Sequence, residues 1–104
     1  MTDEYQIEVP PSFIALYVDA RKRLGIPLRE LRQRYEACED LSQQLVEHGE
    51  QLRRDADIPR REVLERIRSG LAIEGSGVSP DEATWVARRL AELLGWTWEP
   101  STAP

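Results

Sequence analysis

The sequence has one cysteine, one histidine, one methionine and one phenylalanine. A single cysteine, Cys38, excludes an internal disulfide and fits a reducing compartment. No apolar run approaches the roughly 20 residues that a membrane-spanning helix requires. The acidic opening, with Asp3, Glu4 and Glu8, has no apolar core of a secretory signal. These absences predict a cytoplasmic protein with no membrane association. Positive charge is also in deficit, with 14 Lys and Arg against 19 Asp and Glu, a net charge of −5 and a pI near 4.9. That balance argues against a protein that wraps nucleic acid, because phosphate binding needs positive potential or a strongly basic patch.

Catalytic and cofactor patterns are missing as well. The Walker A pattern G-x-x-x-x-G-K-[S/T] is absent, and the only lysine is Lys22. Gly70, Gly75 and Gly77 precede a helical segment, but they read more simply as a helix end and a turn. Cys38 and His48 are ten residues apart, roughly 15 Å along a continuous helix, too far to share one metal ion. Cys38 reads as a small core residue, and the lone His48, at or beside the heptad seam, reads as a hydrogen-bonded structural residue and not as the base of a nucleophile. The expectation is a protein that is not an enzyme, with no cofactor and no metal.

What remains is helical pattern. With 104 residues, 40% hydrophobic and 32% charged, the chain has the size and composition of one globular domain. The predicted fold is all-α, a small bundle of about four helices with an extended N-terminal arm. The arm is placed at 1–11, one helical domain at 12–98 and a disordered tail at 99–104. In the arm, Tyr5, Ile7 and Val9 alternate with Gln6 and Glu8, a strand-like period of two, and Pro10-Pro11 then block a helix.

The first helix is predicted over 12–23, with Ser12 as N-cap and Phe13, Leu16, Tyr17, Ala20 and Leu24 on one face. The second spans about 28–55. Its heptad-like seam runs Leu28, Leu31, Tyr35, Cys38, Ser42, Leu45, Gly49 and Leu52, with Gly49 as a place to bend or break. The third runs about 59–71, capped by Asp57 or Ile58 with Pro59 in its first turn. The fourth opens on Ser79-Pro80-Asp81-Glu82, a capping box with proline at the first helical position. It continues to Leu94, before Gly95.

The tryptophans point toward function. Trp85 falls about 140° round the fourth helix from Leu90, the centre of its core face. Trp96 falls on the same side if the helix continues past Gly95, with Arg89 between them. Trp and Arg are enriched at interaction hot spots. The expected contact patch is therefore Trp85, Arg89 and Trp96, with Tyr5, Ile7 and Val9 as a detachable arm. The alternative is that the arm folds over these rings, or that Gly95 turns Trp96 and Trp98 elsewhere. Exchange of arms between two protomers, a homodimer, would satisfy both. On the patch reading, Trp85→Ala weakens association while leaving the helices intact.

The basic clusters Arg21-Lys22-Arg23, Arg53-Arg54, Arg60-Arg61 and Arg88-Arg89 offer a second reading, a nucleic-acid-binding regulator. Against it, the connection 71–79 is too long for a helix-turn-helix, and the fourth helix opens on two acids.

Four blocks carry a family resemblance. They are the stretch from Val9 to Tyr17, the stretch from Arg34 to Leu41, the stretch from Val63 to Ile67, and Trp85-Val86 with the stretch from Arg89 to Trp96. Together they touch most of the chain. They resemble a small, poorly characterised proteobacterial family whose members are sometimes labelled "ATPase with chaperone activity". The resemblance implies a bacterial cytosolic protein. Without residues for ATP hydrolysis, it implies at most a cochaperone-like subunit associated with an ATPase. The leading expectation is a non-catalytic protein–protein interaction module: an adaptor, assembly factor or regulatory subunit.

Overall fold

The structure, a computed structural model, describes residues 9–98. It is all-α. Four helices follow in order: α1 (Pro11–Ile14), α2 (Leu28–Ala56), α3 (Arg60–Leu71) and α4 (Pro80–Leu94). A single 3-10 turn, Ala15–Tyr17, follows α1, and the described residues form no strand beyond one isolated antiparallel bridge, Val18 to Leu24. No helix among the described residues is long and apolar enough to cross a membrane. The contacts divide the chain into two compact units, Met1–Ala37 and Cys38–Pro104.

The first unit corrects the expected helix over 12–23. Pro11 opens α1 instead of blocking it, because a first-turn proline loses no hydrogen bond. Pro10 occupies the N-cap position with extended backbone, and Ser12 lies inside the helix. After Tyr17 the helix ends, and Asp19 explains why. Its Oδ1 accepts from the backbone N–H of Arg21 at 2.8 Å and of Arg23 at 2.9 Å. A short polar side chain that satisfies nearby amides offers the backbone an alternative to helix. Lys22 completes the turn in the left-handed region, with φ 66°. The apolar spacing survives only as a small cluster, in which the Phe13 ring lies 5.8 Å from Tyr17 and 5.7 Å from Tyr35.

The second unit holds the larger core. Val63, Leu64 and Ile67 of α3 meet Ala87, Leu90 and Ala91 of α4, and Leu45, Val46 and Leu52 of α2 pack against them. α2 runs through Gly49 without a break. Gly49 is buried, and a Cβ built there would lie 3.3 Å from Leu94 Cδ1. The glycine marks the close approach of two helices, and its cost in helix propensity accompanies that packing. Asp57 takes a left-handed conformation, φ 53°, just past the end of α2. Pro59, and neither Asp57 nor Ile58, occupies the N-cap position of α3.

α4 begins and ends where its residues predict. Ser79 accepts from Glu82 N–H at 3.1 Å, and the Glu82 carboxylate accepts from Ser79 N–H at 3.0 Å. At the other end Gly95 is left-handed, φ 73°. Its N–H donates to Glu92 and that of Trp96 to Ala91, at 3.2 and 2.9 Å, the Schellman pairing. The chain then brings Trp98 back onto the α3–α4 core, where it is 6% exposed.

Candidate protein-interaction site

The structure takes the expected tryptophan stripe apart. Trp85 is buried, with 7% of its surface exposed. Trp96 leaves the helix at the Gly95 turn, so it does not continue the Trp85 side of α4. Its half-buried ring instead lies under the Arg60 guanidinium, 5.6 Å from Cζ to the ring centre. That is a cation–π contact within the second unit. Val9 is half-buried just before Pro10, while Tyr5 and Ile7 lie outside the described residues.

Arg89 is committed to its own chain. Its Nε donates to Glu39 Oε1 at 2.9 Å and its Nη2 to Glu39 Oε2 at 3.0 Å, a two-pronged clasp from α4 to α2. Nη1 donates to Glu92 Oε1 at 3.0 Å. The hydrogen bonds from Arg89 hold the Glu39 carboxyl below the usual carboxylate range, against an opposing push from partial burial. The carboxylate of Glu39 raises Arg89 in return. Other arginines are also engaged: Arg66 pairs with Glu62 at 2.8 Å and Arg68 with Glu65 at 3.2 Å. These are the acid-first pairs that stabilise a helix face by a few tenths of a kcal/mol each.

An open groove of about 340 Å³ lies between α2 and α3 in the second unit. Leu45, His48 and Leu52 line it from α2; Arg66, Ile67, Gly70 and Leu71 line it from α3. On α2 the spacing 45, 48, 52 places three side chains along one face. On α3, Gly70 contributes no side chain, and a Cβ built there would meet nothing within 4 Å. The ion pair with Glu62 draws the Arg66 head group back along its own helix. What is left is an apolar trough with one imidazole at its rim, suited to receive hydrophobic side chains. The sequence held its ingredients in Leu45, Leu52 and Leu71 beside a helical glycine. Nothing in the spacing said that α2 and α3 would stand open along this line.

Among the described residues, no group of three His, Cys, Asp or Glu side chains is placed to hold a metal ion. Cys38 is buried and His48 exposed. No family model, curated protein or solved structure matches the chain.

Proposed function

We propose that this chain is a non-catalytic protein–protein interaction module of the bacterial cytoplasm, and that it holds an amphipathic helix of a partner protein in the α2–α3 groove. The observation that carries the reading is the groove itself, apolar along its floor and left open by Gly70. Charge sets the kind of helix. Residues 38–98 carry twelve Asp and Glu against eight Arg, so the complementary partner is basic on its polar face. An adaptor, assembly factor or regulatory subunit works by such contacts, and the implied association with an ATPase fits the same mode.

The test is a titration with a labelled synthetic helix that carries leucines at i, i+3 and i+7 and lysines elsewhere. Saturable binding is expected. Gly70→Leu should abolish it while preserving the fold, because the new side chain fills the groove and leucine is a better helix former than glycine. Absence of binding, or binding indifferent to Gly70→Leu, rejects the groove as the site.

A further inference from the structure

The first unit carries a surface of opposite character. Residues 9–37 have an excess of three positive charges in a chain whose net charge is −5. Three of the cations sit on a built loop. Asp19 N–H donates to Arg23 O at 2.9 Å, Lys22 N–H donates to Asp19 O at 2.9 Å, and Gly25 N–H donates to Tyr17 O at 2.7 Å. With the Val18–Leu24 bridge, these bonds fix the tip that displays Arg21, Lys22 and Arg23, all exposed. Arg23 is drawn to Asp19 at 3.6 Å. Arg21, Lys22 and Arg29 have no ionic partner among the described residues.

Beyond the loop the chain exposes two large apolar side chains, Leu24 at 38% and Leu28 at 52%. Pro27 and Arg29, on either side of Leu28, line a groove of about 670 Å³ at the start of α2. Holding a fixed basic tip beside exposed leucines favours one class of ligand. A nucleic acid would leave the leucines in water and would meet Glu30 in the groove. A polypeptide with both acids and apolar residues satisfies both features.

We propose that this loop and the start of α2 form a second docking surface, for an acidic segment of a partner protein. In this arrangement carboxylates pair with Arg21, Lys22 and Arg29, and apolar side chains cover Leu24 and Leu28. The surface is separate in residues and in charge from the α2–α3 groove, and it does not rest on that groove being occupied.

The experiment uses the full chain and three labelled probes: a peptide alternating Glu and Leu, the same peptide with Lys for Glu, and a short DNA duplex. The Glu–Leu peptide is expected to bind, with affinity that falls as salt is raised. The pair Arg21→Glu with Arg29→Glu should weaken it by about tenfold or more. Leu28→Ser should also weaken it, and Gly70→Leu should leave it unchanged. All three altered side chains of this surface are exposed, so the far-ultraviolet dichroism should not move. The proposal is overturned if the Glu–Leu peptide does not bind or if its binding ignores these substitutions. It is equally overturned if the duplex binds more tightly and is indifferent to Leu28→Ser.

Discussion

Gly49 offers a quantitative test of how α2 meets α4. In a helix interior, glycine costs about 1 kcal/mol relative to alanine. The methyl of Gly49→Ala would stand 3.9 Å from Leu90 Cδ2 and 4.0 Å from Ile67 Cδ1, ordinary contact distances. Only Leu94 Cδ1, at 3.3 Å, is too close. That atom is the far end of a flexible side chain on the last, half-buried residue of α4. A shift of a few tenths of an ångström relieves it. Gly49→Ala should therefore keep most of the propensity gain and stabilise by about 0.5 kcal/mol. Gly49→Val adds two further methyls where contact is already made, and overpacking of that kind costs about 1–3 kcal/mol. The expected order of stability is Ala, Gly, Val. Urea titrations followed by far-ultraviolet dichroism resolve these differences through their midpoints. A Leu94→Ala background sharpens the test, since Gly49→Ala should there gain nearer the full 1 kcal/mol. A loss of stability in Gly49→Ala, unrelieved by Leu94→Ala, would refute the account of the helix contact.

Three further outcomes follow from other contacts. Ser79→Ala removes an acceptor from the capping box and should cost about 1 kcal/mol, with Glu82→Gln costing less because it can still accept from Ser79 N–H. In a double-mutant cycle, Glu39→Gln and Arg89→Gln should show a coupling of about 1 kcal/mol, as expected of a partly exposed pair. Because the folded carboxyl of Glu39 is held low, that coupling is full above the ordinary carboxylate range. It fades as pH falls through the depressed value, so the cycle should read near zero in strong acid. Trp85→Ala should destabilise by about 3–5 kcal/mol, as a buried aromatic does. Unfolding transitions would show this directly, and a near-neutral result would return Trp85 to a binding surface.

The residues themselves determined those features whose hydrogen bonds close within a few positions. Ser79, Pro80 and Glu82 dictate the start of α4, and Gly95 dictates its end, because each satisfies or spares backbone groups that the neighbouring turn leaves open. The apolar period of α2 likewise specifies a helix whatever it packs against. Asp19 was equally local, yet the apolar spacing from Phe13 to Leu24 masked its competing bonds to Arg21 and Arg23. Other outcomes needed the tertiary structure. Arg89 meets Glu39 across 50 positions of sequence, and no periodicity says which rotation of α4 faces α2. Trp85 was identifiable as lying off the main core stripe, but its burial depends on what covers that side. Gly49 reads alone as a weak point, and becomes a contact only because Leu94 lies opposite. The α2–α3 groove, too, is a property of the distance between two helices, each of which the sequence specifies without fixing their separation.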